Sequence, residues 1–348
     1  MEISNEITKE IPAEPSQLNL EFRGTASEFF RIWIVNIFLT IITFGIYSAW
    51  AKVRTRRYFL GNTYLANANF DFHANPLSIL KGRIIVGLLF AGYALGAKIS
   101  LVIPLVCLAI FLVLFPWIMV KSMAFNLRNT SHRGIRFGSD HQVGESYETY
   151  LGAIFGAILS FGIAFPWALF RISTFRLNYT KFGAETFRAN LDSQLYFKYY
   201  YAAVAGGFLL ALGSAFGLGF LSVAAKLPFL AMLAGPFAYL MIFYFSAYYR
   251  ANIYNHIATS TQLKGIRFSG TLDPWHLGKI YITNALACIF SLGLLIPWAL
   301  VRLAKYRIEA TKVIGTESHL GEFIAQQQSA GNALGDAATD FGDIDLGF

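Results

Sequence analysis

Three arginines, each four residues after a tryptophan, are the first side chains in this sequence placed to do chemistry together. Trp50/Arg54, Trp167/Arg171 and Trp298/Arg302 continue at the next fourth position to Tyr58, Phe175 and Tyr306, and then to Thr63, Thr180 and Thr311. Each set is preceded, five residues before its tryptophan, by Gly45, Gly162 or Gly293. On a helix that starts at the tryptophan, positions i, i+4 and i+8 form one stripe. Such a stripe suits two jobs. An indole at headgroup depth with an arginine reaching lipid phosphate is an interfacial anchor. Three stripes facing one cavity would gather an anion, either a lipid headgroup or a small phosphorylated solute. Asn36 and Asn284 lie fourteen residues before their tryptophans, where the middle copy has Ala153. An amide that deep in an apolar run has to bond to a neighbouring helix or to a solute.

The remaining reactive residues exclude chemistry more than they suggest it. His73, His132, His141, His256, His276 and His319 make no HxxxH or HExxH spacing, which predicts no metal site. Cys107 and Cys288 sit in apolar segments and read as small buried hydrophobes. There is no GxSxG elbow, P-loop or dinucleotide glycine pattern, so no catalytic residue, enzyme activity or cofactor is predicted. The net charge of +8 comes without a nucleic-acid recognition motif. In an apolar chain such cations mark cytoplasmic loops and an anionic leaflet, so the expected partners are membrane lipids, anionic ones included. The sequence leaves a protein partner or a second copy of the chain open.

The elements that must carry these residues are membrane helices. Charged residues make up 14% of the 348, with a mean hydropathy of +0.49, against about 25% charged in a soluble chain. No basic segment precedes a short apolar core at the start, which predicts no cleaved signal peptide. Residues 1–17 read as a flexible tail, 18–320 as one membrane domain, and 321–348 as a disordered acidic tail. Within the domain, repeats at about 22–63, 137–180 and 268–311 alternate with apolar stretches at about 82–120 and 199–249. Each stretch is long enough for a two-helix transmembrane hairpin, with Lys98 or Lys226 near its turn. Gly92/Gly96 and Gly213/Gly217 place glycines four apart in the first helix of each hairpin, where backbones can approach closely. Segments 18–23, 63–72, 134–138 and 265–268 alternate like strands and predict short cytoplasmic β-hairpins. The expected class is therefore a mainly α, polytopic membrane protein.

Charge placement separates two topologies. If the three repeats also span, giving seven transmembrane helices, Lys and Arg divide fifteen to thirteen between the two sides. If each repeat enters and leaves on one side, twenty-six of the 28 lie on that side, all but Lys98 and Lys226. The positive-inside rule favours the second, re-entrant arrangement. The Gly before each Trp, and the Pro immediately before Trp167 and Trp298, fit it: Gly ends one helix and Pro opens the next, with the second helix expected to start at the Trp.

The run FRGTASEFFRIW…TFGIYSAWAKVRTRRYFLGNT followed by FDFHANPLSILKGR resembles the YjgN-like family of bacterial inner-membrane proteins, over about residues 18–320. The resemblance implies a multi-pass protein of the bacterial inner membrane. It implies no activity and no catalytic residues. The function expected from the residues is permeation or handling of a small anionic solute or lipid. The alternative is a non-catalytic scaffold or assembly factor with a cytoplasmic β platform.

Overall fold

From Gln17 to Ile314, each helical excursion begins and ends in one ring of short strands. The structure is a computed structural model that describes residues 17–140, 142–315, 321–322 and 324–326. β1 (Gln17–Phe22) leads to α1 (Ala26–Ile42) and α2 (Ser48–Gly61), which return to β2 (Thr63–Leu65). β3 (Ala68–Phe72) leads to α3 (Pro76–Gly96) and α4 (Val102–Arg128), which return to β4 (Thr130–His132). β5 (Ile135–Ser139) leads to α5 (Val143–Leu159) and α6 (Phe165–Asn178), which return to β6 (Thr180–Phe182). β7 (Glu185–Thr186) and β8 (Arg188–Ala189) precede α7 (Ser193–Ala224), a short α8 (Phe229–Met232) and α9 (Ala234–Ser260), which return to β9 (Thr261–Leu263). β10 (Ile266–Gly270) leads to α10 (Pro274–Phe290) and α11 (Ile296–Glu309), which return to β11 (Thr311–Ile314).

The strands form one antiparallel sheet in the order β7-β6-β5-β4-β3-β2-β1-β11-β10-β9-β8. Its two ends are joined covalently, because Phe187 alone separates β7 from β8, and its N–H donates to the Thr180 carbonyl at 2.9 Å. The two stems of every helical excursion pair with each other: Leu20 with Leu65, Phe70 with His132, Phe137 with Phe182, Arg188 with Gln262, and Phe268 with Val313. Two-residue turns with positive φ at Ala66–Asn67, Arg133–Gly134 and Lys264–Gly265 make the other links, the geometry that suits a twisted hairpin. The covalent link closes the order into a ring in which β7 pairs with β6 alone and β8 with β9 alone, so the unpaired edges are two residues each. The expected separate hairpins are thus neighbours in a single sheet.

Strand alternation turns Leu65, Ile135, Phe182, Leu263, Ile266 and Val313 into one core, with Phe70, Phe137, Phe187 and Phe268 packed against it. Phe137 and Phe182 lie 4.7 Å apart, and Phe187 and Phe268 6.0 Å apart. The ring is filled, not hollow. Ile324 is buried in this core, and Gln326 accepts a hydrogen bond from Lys264 at 3.5 Å. The expected disordered tail therefore fails at its start, where residues 321–322 and 324–326 are helical. Apolar Ile324 gains more by joining the core than its ordering costs. Residues 327–348 lie outside the described residues, as do residues 1–16 of the expected N-terminal tail, while Gln17 is already in β1.

Helices leave the ring on polar caps. Thr25 and Glu28 form a capping box at the start of α1. Asn75, Asp192 and Asp273 accept N–H bonds from Leu77 (3.0 Å), Gln194 (2.8 Å) and His276 (2.9 Å). Four helical segments are long and apolar enough to cross a membrane: Pro76–Gly96, Val102–Arg128, Ser193–Ala224 and Phe229–Ser260. The other six helices come as three pairs, each 17 residues followed by 14.

The three pairs break in the same way. Gly45, Gly162 and Gly293 have φ of 90°, 86° and 90°, and their N–H groups donate to Thr40 (2.7 Å), Ala157 (2.7 Å) and Cys288 (2.8 Å). That left-handed turn absorbs carbonyls orphaned at the end of the first helix. Two residues before each glycine, the hydroxyls of Thr43, Ser160 and Ser291 accept the N–H of Tyr47 (2.9 Å), Ala164 (2.8 Å) and Leu295 (3.0 Å). The second helices begin at Ser48, Phe165 and Ile296, two residues before the tryptophans, with Pro166 and Pro297 in the first turn of the latter two. At the tips, Phe44, Phe161 and Leu292 are 98%, 97% and 94% exposed.

Removing a tip hydroxyl leaves a backbone N–H without its acceptor. Thr43→Val, Ser160→Ala and Ser291→Ala are each expected to cost about 1–2 kcal/mol, read as a lowered unfolding midpoint in detergent. The control is Ser214→Ala, whose hydroxyl only donates to the Ala211 carbonyl within α7. Losses no larger than the control's would contradict the role given to the hydroxyls.

Candidate functional site

The structure keeps each Trp–Arg pair within its own helical pair. Arg54 donates to the Tyr47 hydroxyl at 2.9 Å, and the Tyr47 ring stacks on Trp50. The guanidinium of Arg171 lies 5.8 Å over Trp167, and that of Arg302 5.1 Å over Trp298. Arg302 also donates to the Thr283 hydroxyl (2.6 Å) and to Asn284 Oδ1 (3.2 Å), while Asn284 Nδ2 donates to the Ala299 backbone carbonyl at 3.0 Å. Asn284, Trp298 and Arg302 thus form one cluster bridging α10 and α11. Among the described residues, no hydrogen bond, ion pair or ring contact joins one Trp–Arg pair to another.

Asn36, at the matching position in α1, is 6% exposed, and its Oδ1 has no hydrogen-bond partner. It lines a cavity of about 540 Å³ between α1, α2 and α3, with Thr40, Ser48, Lys52, Arg56 and Arg83. No carboxylate is among the lining residues. Arg83 donates to the Ser48 hydroxyl, and Arg56 donates to Asn126 on α4. Burial, then the charges of Arg56 and Arg83, pull the Lys52 ammonium down to about 8. Three cationic side chains thus share a cavity lined by no carboxylate, an arrangement that suits an anion, while the Asn36 Oδ1 calls for a donor.

Sequence reading picked the exposed Arg54 and missed this set. Lys52 and Arg56 lie at i and i+4, so they share a stripe that leaves Arg54 and Arg57 on other faces, and that spacing was a readable signal. Arg83 was not readable, because only the fold brings α3 against the start of α2. α10 and α11 build a cavity of about 340 Å³ from equivalent positions, where Asn284 and Cys288 stand for Asn36 and Thr40, and Leu300 and Leu303 for Lys52 and Thr55. The leucines remove the cation and the hydroxyl, and Asn284 is already satisfied. Among the described residues no group of three or more His, Cys, Asp or Glu is placed to hold a metal.

The glycines marked for packing separate. A Cβ on Gly96 would collide with Ile103, and one on Gly92 would touch the Cys107 sulfur at 3.6 Å, so α3 and α4 close together there. A Cβ on Gly213 or Gly217 would meet nothing within 4 Å. In α7 the close approach to α9 lies at Gly206, against the Phe245 ring.

Comparison with known proteins supplies a family and no activity. A family model described as "Bacterial protein of unknown function (DUF898)" matches residues 17–341. The chain is 34% identical over 122 residues to "Inner membrane protein YjgN" of Escherichia coli K12, covering 33% of this chain and 29% of that protein. It is 30% identical over 125 residues to the protein of the same name from Salmonella typhimurium, covering 34% and 30%. The chain thus spans about 30% of the length of the curated relatives it matches. No solved structure matches.

Gly206→Leu is expected to lower stability by about 1–3 kcal/mol through overpacking against Phe245, whereas Gly213→Leu should leave the unfolding midpoint within error. The reverse order would contradict the packing described for α7 and α9.

Proposed function

We propose that this chain, which belongs to the DUF898 family of bacterial proteins of unknown function, holds an anion in the cavity of Lys52, Arg56 and Arg83 at the cytoplasmic face of the inner membrane. The anion is a lipid headgroup or a small phosphorylated solute. The observation that carries this reading is the set of three cations in one cavity whose lining holds no carboxylate.

In this reading α3/α4 and α7/α9 are two transmembrane hairpins, and the three shorter pairs are copies of one re-entrant unit. Four observations support it. Both stems of every unit sit in the same ring. Helices of 17 and 14 residues are about 25 and 21 Å long, short of a bilayer core of about 30 Å. The fully exposed tips are Phe44, Phe161 and Leu292, which favour lipid over water. The tip of the second unit, at Ile163, accepts a hydrogen bond from Tyr201 at 2.5 Å, and α7 runs on from there to Ala224, about 35 Å of further helix. Charge places the ring in the cytoplasm, since the re-entrant arrangement keeps all but Lys98 and Lys226 on its side. Trp50, Trp167 and Trp298, with their arginines, then act as anchors near the headgroups.

The packed phenylalanines close the axis of the ring, which favours binding at the cytoplasmic face over a continuous pore. The scaffold alternative is weaker on one point: the strands with a single pairing, β7 and β8, are two residues each, so the ring offers little edge for strand addition.

The test is calorimetric titration of the purified protein in nanodiscs with inorganic phosphate and with a short-chain phosphatidylglycerol, which separates free phosphate from a headgroup. Arg83→Gln and Arg56→Gln should each weaken binding about tenfold or more, as a lost charge-assisted hydrogen bond does. Anion binding favours protonated Lys52, so affinity should fall as pH rises through about 8, and Lys52→Met should flatten that dependence. Equal affinity in Arg83→Gln and the parent protein sinks the proposal.

A further inference from the structure

A second groove runs between α6, α7 and α9, with a volume of about 700 Å³. Its wall is apolar over most of its length, formed by Leu169, Val204, Phe208 and Phe245 among others. Its polarity is graded along the helices. α7 starts beside the ring and α9 ends beside it, so Tyr200, Tyr249 and Arg250 lie at the ring-side end, while Ala211 and Ile242 lie at the far end. The groove extends about 12 Å along α9 and about 16 Å along α7. Arg250 is exposed, has no carboxylate partner among the described residues, and lies 6.0 Å over the Tyr281 ring. The Tyr249 hydroxyl is buried without a hydrogen-bond partner. Arg250 and Ser246 also line the cavity of about 340 Å³ that reaches Asn284 and Arg307. One guanidinium therefore lies between the apolar slot and a second cavity that holds another arginine.

We infer that this groove binds a membrane phospholipid of net negative charge, with an acyl chain along α7 and α9 and its phosphate against Arg250. The occupant follows from the grading. A free phosphate makes no use of the apolar slot, and an uncharged hydrocarbon leaves Arg250 unpaired beside lipid, where a lone cation is costly. An amphiphile with its charge at the ring side satisfies both ends. None of these residues lines the Lys52 cavity, so the inference stands apart from that site.

The experiment uses phosphatidylglycerol carrying a photoactivatable group in its acyl chain, incorporated into nanodiscs with the purified protein, and peptide mapping of the label. The expected label falls on the stretches around Val204, Phe208 and Phe245, and unlabelled phosphatidylglycerol competes about tenfold better than phosphatidylcholine. Arg250→Gln should remove that preference. Val204→Trp should displace the label; this residue is 50% exposed, so the ring can fill the groove without entering the core. Arg83→Gln should change neither result. Label spread evenly over the helices and indifferent to both variants, displacement by inorganic phosphate, or crosslinking of the groove to a second copy of the chain would overturn the inference.

Discussion

Pairing between the two stems of each helical excursion is the interaction on which the rest of the structure depends. Short strands of two to six residues hold little stability singly, and here they succeed because every one has two neighbours or a covalent continuation to one. The consequence is topological. A helical pair whose stems bond to each other must return to where it left. An excursion of two long apolar helices can cross a bilayer and come back, while in the re-entrant arrangement proposed above one of 17 and 14 residues would turn inside it. A left-handed glycine and a hydroxyl at each tip satisfy backbone N–H groups internally, which lowers the cost of such a break.

The same tie explains where the cations go. Lys52 and Arg56 lie in the first nine residues of α2, toward its tip, and Arg83 lies in the ring-side half of α3, so helices from two different excursions converge there. Gathering them has an electrostatic cost: burial first, and then the charges of Arg56 and Arg83, lower Lys52. The matching cavity in α10 and α11 has leucines at the positions of Lys52 and Thr55 and a satisfied Asn284, and its cations, Arg250 and Arg307, come from other positions. The scaffold therefore does not require a cation at the Lys52 position.

Much of the plan was legible because it is local. The Gly–Trp spacing marked the breaks, and long apolar runs marked the four candidate spans. The Ser or Thr two residues before each tip glycine was equally visible and went unread. What could not be read is what depends on distant pairing. Gln17 pairs with Ile314, and Arg83 reaches Ser48, contacts that no local period encodes. Gly213 and Gly217 show the limit of a motif: glycines four apart permit close approach, but the neighbouring helix meets Gly206 instead. Ile324 looked like tail because one apolar residue among polar ones has no periodicity, yet the ring core takes it in.

The most direct test of the shared ring compares two of its turns. With Cys107 and Cys288 replaced, single cysteines at Ala66 and Lys264 are probed in intact cells and in inverted vesicles with a membrane-impermeant thiol reagent. The account predicts that both label in inverted vesicles and neither in intact cells. If all three shorter pairs spanned the membrane, the two turns would lie on opposite sides, so label at one of them from outside intact cells and at the other only in inverted vesicles would contradict it.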